Sequence, residues 1–150
     1  MRDYIDTDYL ILVSSDGKKP GLEIFKERIT KNRWPIYDKT PQLLNVKTGK
    51  KVIFYIAGSG EKKQSFVGTA RIKKKINTVN EVLDTNQEFR KVLFYIEFEN
   101  FKFFNKSIQI KDHIENLNFI KNKEKYGLYF QGGVCKIDES SHNYILNCAN

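Results

Sequence analysis

The segment KVIFYIAG (residues 51–58) constrains the fold more than any other, because it is an almost unbroken run of apolar residues that favour β-structure. A strand with one face in water alternates apolar and polar residues, and this run does not alternate. Its side chains therefore need a cover on both faces of a sheet. The run predicts a central strand with other elements packed above and below it.

An amphipathic helix and several further strands are predicted around this central strand. Leu22, Phe25 and Ile29 recur at the spacing of one helix face. The helix must end before Pro35, which cannot continue it. In chain order, the predicted elements are a strand at residues 8–13, a helix at 21–32, strands at 51–58 and 64–75, a short helical pattern at 76–88, two strands within 89–110, a last strand after Gly132 and Gly133, and a final helix capped by Ser140 or Ser141.

This order of elements predicts an α+β fold, built on a curved, mostly antiparallel sheet or small open barrel that is flanked by helices. A chain of 150 residues is long enough to bury its own core and short enough to be one domain, residues 1–150. Its 40% hydrophobic and 13% aromatic content excludes a disordered chain.

Membrane and metal chemistry are not predicted. No apolar run approaches the roughly 18 residues of a transmembrane helix, and the start MRDYIDTD does not resemble a signal peptide, so we expect a cytoplasmic protein with no membrane partner. Cys135, Cys148, His113 and His142 have none of the spacings of a zinc site, and Cys135 lies in an apolar run as a small buried residue would. We expect no metal and no other cofactor.

No catalytic signature is present either. The chain lacks G-x-S-x-G, H-E-x-x-H, zinc-deaminase and P-loop motifs. The segment GSGEKK (residues 58–63) has the composition of a phosphate loop without its spacing, and is typical of a hairpin turn. We therefore predict that the protein is not an enzyme.

The net charge of +8, with an isoelectric point near 9.4, favours a polyanionic partner such as DNA or RNA. Charge alone does not decide this, because only five of the 26 basic residues are arginines and the rest are lysines. A lysine-rich chain with abundant Asn and Ile is also what a biased residue usage produces.

Aromatic residues stand at positions that the predicted strands and helices do not require. Trp34 and Tyr37 lie in the extended segment after the first helix, and Tyr126, Tyr129 and Phe130 lie in KYGLYFQGGV. That segment ends in Gly132 and Gly133, and consecutive glycines allow the backbone to approach a ligand or another part of the chain closely.

These segments carry a resemblance to a family. RWPIYDKT, then GKKVIFYIAGSGEKKQSFVGTARI, then LNFIKNKEKYGLYFQGGVCKI resemble, in this order, the EVE domains of the PUA-like superfamily, which are related to the YTH readers of methylated adenine. The resemblance covers about residues 8–146. It implies a pseudo-barrel with an aromatic pocket that takes a flipped or single-stranded base carrying a modification such as methylation.

The resemblance also implies where the ligand binds. Trp34 would be a wall of the pocket, the two serines after the first strand would face the base, and QGG would form the rim. The residues that it assigns to the base pocket are Ser14, Ser15, Trp34, Pro35, Tyr37, Tyr55, Ala57, Phe66, Gly68, Tyr126, Gln131, Gly132 and Gly133. Basic residues that would hold phosphates at the mouth are Lys31, Arg33, Lys121, Lys123 and Lys125.

Structural explanations of the same residues stay open. Trp34 can close the core over the first helix, Phe130 is expected to be buried, the glycines can form a turn, and the lysines of residues 121–125 can be a solvated face. The segment PIYDKT departs from the family pattern, so the resemblance does not specify a base. Alternative functions are a general RNA-binding module acting on tRNA or rRNA, an enzyme or small-molecule binder using the same cleft, and a protein-interaction domain.

Overall fold

The computed structural model describes residues 9–78, 82–84 and 89–149. In the described residues the strands are β1 (Tyr9–Ser14), β2 (Trp34–Tyr37), β3 (Lys51–Ile56), β4 (Ser65–Asn77), β5 (Val82–Asp84), β6 (Phe89–Gln109) and β7 (Val134–Lys136), and the helices are α1 (Gly21–Lys31) and α2 (Glu139–Ala149). Short 3-10 turns lie at Leu43–Asn45, Ile110–Asp112, Ile114–Asn116 and Tyr126–Phe130.

The strands form one curled sheet in the order β2-β6-β4-β3-β1-β7, and β5 pairs with β6 outside this path. Strands β1 and β3 are parallel, because α1 and β2 return the chain between them, and the other pairs are antiparallel. The sheet is an open half-barrel whose two edges are β2 and β7. The predicted α+β class with a mostly antiparallel curved sheet is confirmed.

The central strand β3 is covered on both faces, as its sequence predicted. Val52, Phe54 and Ile56 point into a core with residues of α1, which we call the α1-side core. Ile53 and Tyr55 point the other way, into a core with residues of α2 and the 3-10 turns, the α2-side core. All five side chains are fully buried, so each of these five consecutive positions contributes to stability by removing apolar area from water.

Two predictions for residues 76–110 were wrong. The segment predicted to hold two strands is the single strand β6, which bends where Asn100 adopts a left-handed conformation with φ of 57° and where its register with β4 shifts. Within residues 76–88, the helical prediction fails because residues 76–77 continue β4 and Val82–Asp84 pair with β6. Residues 79–81 and 85–88 lie outside the described residues. Pairing with a long neighbouring strand outweighs a weak local helical pattern.

The helices begin and end close to their predicted positions, but the cap of α2 differs. The Asp138 side chain accepts a hydrogen bond from the Ser141 amide at 3.0 Å, so Asp138, and not Ser140 or Ser141, is the N-cap. The Ser141 hydroxyl instead accepts from the Asn118 amide at 2.9 Å. No helix in the described ranges combines the length and the apolar character that a membrane span requires.

Candidate nucleic-acid interface

A cleft of about 930 Å³ opens between the two edges of the half-barrel. It is lined by α1, by the residues around β2, by the ends of β1 and β3, and by the segment that enters β7. Because β2 and β7 do not pair with each other, the sheet stays open here and α1 crosses the opening. The volume lies within the range of about 300–1,000 Å³ that small-molecule and cofactor sites occupy.

The position of α1 over this opening depends on Gly21, the first residue of the helix. A Cβ atom at this position would lie 2.8 Å from the carbonyl oxygen of Ala57 and 3.0 Å from that of Ser14. The Ser14 hydroxyl donates a hydrogen bond to the Gly21 carbonyl at 2.7 Å. The absence of a side chain at Gly21 therefore brings the start of α1 against the ends of the parallel strands β1 and β3.

Asp16 fastens the loop before α1 to the loop after β3. Its carboxylate accepts hydrogen bonds from the Gly21 amide at 2.8 Å, the Ser59 amide at 3.0 Å and the Ser59 hydroxyl at 2.7 Å. The bond from the Ser59 hydroxyl is the main cause that lowers the pKa of Asp16; the two amides lower it further, and partial burial opposes them. The charged carboxylate thus holds one side of the cleft entrance together.

We expect Asp16→Asn to lower the free energy of unfolding by about 1 kcal/mol at pH 7. The NH2 group of the new side chain would face N–H or O–H donors of Gly21 or Ser59 and could not accept their hydrogen bonds. Because water partly screens this site, the effect is kept at the lower end of the usual range. A folded-state pKa below the ordinary value means that the carboxylate stabilises the fold above about pH 4, and that this contribution is lost as the pH falls through the folded value. Urea unfolding of both proteins at pH 7 and pH 3.5 should therefore show the difference shrinking at the lower pH. Asp112→Asn, at an exposed position, is the control, and an Asp16→Asn effect that is equal at both pH values would contradict this account.

The opposite rim is built on Gly132, which has φ of 90°. A Cβ atom there would lie 2.6 Å from Cγ of Pro41, in the loop after β2. The next residue, Gly133, accepts a hydrogen bond from the Val13 amide at 2.8 Å. Gly132 therefore allows the segment before β7 to lie against the loop after β2, and Gly133 joins the same segment to β1.

Polar groups from four separate segments meet beside this rim; we call them the polar set, and they are Ser15, Ala57, Gln64, Gln131 and Gly133. Ser15 and Gln131 are exposed to solvent. Gln64 is already engaged, since its amide oxygen accepts from the Tyr55 hydroxyl at 2.6 Å and its amide nitrogen donates to the Gly58 carbonyl. Ser15 and Gln131 are thus the side chains of this set that can offer hydrogen bonds to a ligand.

A group of arginines on aromatic rings lines the other part of the cleft; we call it the arginine cluster, and it consists of Arg28, Arg33, Arg90, Trp34, Tyr37 and Tyr95. The guanidinium carbon of Arg28 lies 4.7 Å from the centre of the Trp34 ring. That of Arg33 lies 4.5 Å from the Tyr95 ring, and that of Arg90 lies 4.1 Å from the Tyr37 ring. Each arginine is within the distance at which a cation is attracted to an aromatic face.

The electrostatics of Arg28 show how close these groups are. Burial lowers the pKa of its guanidinium; Tyr37, which shares a hydrogen bond with it, and Tyr95 raise that pKa, and Arg90 lowers it. Arginine nevertheless stays charged in proteins. Among the side chains that the structure describes, no carboxylate forms an ion pair with any of the three arginines. The cluster therefore concentrates positive charge at one wall of the cleft.

Trp34 belongs to the cleft wall and to the α1-side core at once. Its ring is stacked on Phe54 with 5.4 Å between centres, and Phe25 and Phe98 contact it edge-on at 6.3 and 6.1 Å. Arg28 lies over the same ring, and only 2% of Trp34 is exposed. A ligand in the cleft therefore meets the Arg28 guanidinium before it meets the Trp34 ring.

The structure brings most of the residues predicted for the base pocket to the cleft and leaves others elsewhere. Those that line the cleft are Ser15, Trp34, Pro35, Tyr37, Ala57, Gln131, Gly132 and Gly133; those that do not are Ser14, Tyr55, Phe66, Gly68 and Tyr126. The Ser14 hydroxyl donates to the Gly21 carbonyl at the start of α1, which is a structural role. Tyr55 and Phe66 are fully buried in the α2-side core, where Phe130 is also buried as expected.

The residues predicted to bind phosphate divide in the same way. Lys31 and Arg33 line the cleft. Lys121 and Lys125 are exposed outside it, and the Lys123 ammonium donates to the carbonyls of Leu117 and Ile120 at 3.1 and 2.9 Å. None of the lysines of residues 121–125 therefore lines the cleft, although Gly127 does, and Lys123 stabilises a turn.

Sequence reasoning missed Arg28, Arg90, Tyr95 and Gln64. One local signal existed for Arg28, which lies three residues after Phe25 and so borders the apolar stripe of α1. No local signal marks Arg90, which reaches Tyr37 only because β2 pairs with β6. Arg90 and Tyr37 are more than fifty positions apart in the sequence and meet through the pairing of β2 with β6.

Comparison with known proteins gives the same architecture. The structure is similar to protein Rpa0253 from Rhodopseudomonas palustris, with a TM-score of 0.59 at 11% identity over 94% of this chain and 92% of that one. It is similar to protein Atu2648 from Agrobacterium tumefaciens, with a TM-score of 0.60 at 14% identity over 95% and 92%. The N-terminal domain of Staphylothermus marinus McrB has a TM-score of 0.51 at 9% identity over 95% and 94%. At these identities the likeness concerns the fold.

The sequence itself matches a family model. No curated protein matches the chain. The model of the EVE domain, however, matches residues 17–148 and so includes α1, the sheet from β2 to β7 and nearly all of α2. The resemblance in the sequence is therefore confirmed: this chain belongs to the EVE domain family and has a PUA-like α+β fold.

Proposed function

We propose that the protein is a non-catalytic nucleic-acid-binding module whose cleft accommodates a flipped or single-stranded base, and that the base it selects carries a modification such as a methyl group. The observation that carries the proposal is the joint lining of one cleft by the polar set and the arginine cluster. A nucleotide offers the matching chemistry, with a hydrogen-bonding base edge, a flat ring and an anionic phosphate. The net charge of +8 favours the same ligand class.

The edge of the base would be read by the exposed Ser15 and Gln131 side chains. A hydroxyl and an amide together supply both donors and acceptors. A wrong base leaves one of these groups buried without a partner, at a cost of about 1–3 kcal/mol, which is enough to reject it.

The face of the base would pack on the wall formed by Trp34 and Arg28. Guanidinium planes as well as aromatic rings serve as platforms for unstacked bases. Because Phe54 holds Trp34 in place and Trp34 lies beneath Arg28, this platform is rigid before the ligand arrives. Stacking of this kind contributes about 1–3 kcal/mol per base.

A modification would be sensed through its apolar area. Each buried carbon group contributes about 0.8 kcal/mol, so a methyl group favours the modified base about fourfold before any shape effect. A base in a duplex must first be extruded, at a cost of a few kcal/mol, and we expect single strands to bind more tightly for that reason.

The test is fluorescence-polarisation binding at one salt concentration to DNA and RNA nonanucleotides that differ only in the central position. That position carries an unmodified base, 5-methylcytosine, 5-hydroxymethylcytosine, N6-methyladenine or an abasic site. We expect one modified base to bind at least tenfold more tightly than the abasic strand and about fourfold more tightly than its unmodified parent, and we expect the preference over the abasic strand to fall by about tenfold in Gln131→Ala or Ser15→Ala. Gln109→Ala and Ser140→Ala, exposed residues that do not line the cleft, are the matched controls.

Equal binding of all strands, including the abasic one, would contradict a base site. The general RNA-binding alternative predicts that result together with a preference for RNA, a strong dependence on salt, and no effect of Gln131→Ala.

A further inference from the structure

We infer that the arginine cluster is a binding site for one phosphate group of the bound nucleic acid, with Arg28 and Arg90 as its main donors and Arg33 beside them; this inference rests on the proposed function. It assigns the phosphate contact to the inner wall of the cleft and not to the lysines of residues 121–125, which lie outside the cleft lining.

Aromatic rings and strand pairing hold the arginines of the cluster in place. The guanidinium of Arg28 lies over the Trp34 ring and that of Arg90 lies over the Tyr37 ring, so neighbouring aromatic residues of β2 hold both arginines. Tyr95 holds Arg33 and belongs to the same small core as Tyr37. Strand pairing of β2 with β6 fixes the two tyrosines relative to each other. Guanidiniums held in this way lose little freedom when they bind an anion.

The positive charges of the cluster lack a carboxylate partner among the described residues. Arg28 and Arg90 are half-buried and repel each other, and none of the described carboxylates pairs with them. Glu27, the acidic residue of α1 that lines the cleft nearby, forms its ion pair with Lys19, and Arg28 lowers the pKa of Glu27 less than Lys19 and Lys31 do. Bringing like charges together in a half-buried wall lowers stability, and an oxyanion between them reverses that effect.

The chemistry of arginine makes phosphate the fitting anion. A guanidinium presents several N–H donors along one edge, which match two phosphate oxygens, and keeps its plane free for stacking. Arg28 can therefore serve the base platform with its plane and the phosphate with its edge. Arg90 is not part of the platform, so it isolates the phosphate contact in an experiment.

The experiment uses the full chain and the nonanucleotides above, with each internucleotide linkage replaced in turn by an uncharged methylphosphonate. For the wild type, we expect one linkage near the central base to cost about tenfold in affinity. Arg90→Gln should weaken the native strand by about tenfold, reduce the salt slope by about 1, and abolish the effect of that single linkage. Arg71→Gln, which removes the same charge from an exposed position of β4 outside this cleft, should retain the linkage effect. Arg90→Lys should keep the salt slope of the wild type but show little of its linkage effect, because an ammonium group cannot donate two parallel hydrogen bonds to a phosphate as a guanidinium does.

A 5′-phosphorylated strand distinguishes a terminal phosphate from an internal one. If binding depends on Arg90 only for this strand, and no methylphosphonate linkage changes the affinity, the phosphate that Arg90 binds is a terminal monoester. The inference is overturned if Arg90→Gln behaves like Arg71→Gln, or if it weakens all methylphosphonate strands equally. If the abasic strand binds as well as the others while one linkage still depends on Arg90, the base proposal fails and the phosphate site stands.

A measurement without nucleic acid keeps the two proposals separable. Sodium phosphate, compared with sodium chloride at equal ionic strength, should raise the melting temperature of the wild type and of Arg71→Gln more than that of Arg90→Gln, because phosphate stabilises all three by exclusion from the surface but binds only where Arg90 is present. Equal responses of the three proteins would overturn the phosphate site even if no oligonucleotide binds.

Discussion

Trp34→Ala is expected to lower the free energy of unfolding by about 3–5 kcal/mol, since it empties the largest buried position of the α1-side core. The lost contacts are the stacked ring of Phe54 and the edge-on rings of Phe25 and Phe98. The platform of Arg28 would be lost as well. Urea unfolding followed by circular dichroism measures the change.

Two further variants make the interpretation specific. Trp34→Phe keeps an aromatic ring in the core and should cost about 1–2 kcal/mol, so it is the variant with which the contribution of Trp34 to binding can be measured on a folded protein. Phe103→Ala removes an aromatic side chain that is 48% exposed and should cost much less than Trp34→Ala. A Trp34→Ala protein as stable as the wild type would show that the ring does not anchor the core.

Gly21→Ala is expected to lower the free energy of unfolding by about 2–3 kcal/mol. The new methyl group would meet the carbonyl oxygens of Ala57 and Ser14, which are backbone atoms at the ends of paired strands and cannot rotate away. Helix α1 would have to shift outward, and because it carries Arg28, nucleic-acid binding should weaken too. Denaturation and the binding assay on the same protein measure both effects.

The sign of this result separates local from tertiary effects. In a helix, alanine is favoured over glycine by about 1 kcal/mol, so local propensity predicts that Gly21→Ala stabilises the protein. Gly127→Ala is the control, because a Cβ atom there meets nothing within 4 Å and should change stability by no more than about 0.5 kcal/mol. Stabilisation by Gly21→Ala would mean that α1 is not held against the strand ends as described.

Part of the candidate site was accessible from sequence because it lies next to recognisable elements. Ser15 follows the first strand, Trp34 and Pro35 follow the first helix, and the Gly132–Gly133 pair precedes the last strand, and all of these residues line the cleft. Their contact with a base stays a prediction. Tyr55 and Phe66 were assigned to the same pocket, although their side chains point to the α2-side core. Successive side chains of a strand point to opposite faces of the sheet, and only the tertiary structure shows which of these side chains reach the cleft.

The sequence by itself determined the class of the fold, the covered central strand β3, the helix α1 and the family, because these depend on local hydrophobic patterns and on ordered motifs. Only the tertiary structure decided that residues 89–109 are one bent strand, that Trp34 is buried beneath Arg28, and that Arg90 joins it at Tyr37. The physical reason is that strand pairing and ring contacts join residues far apart in the chain, and their free energy depends on burial and distance, which a local pattern does not encode.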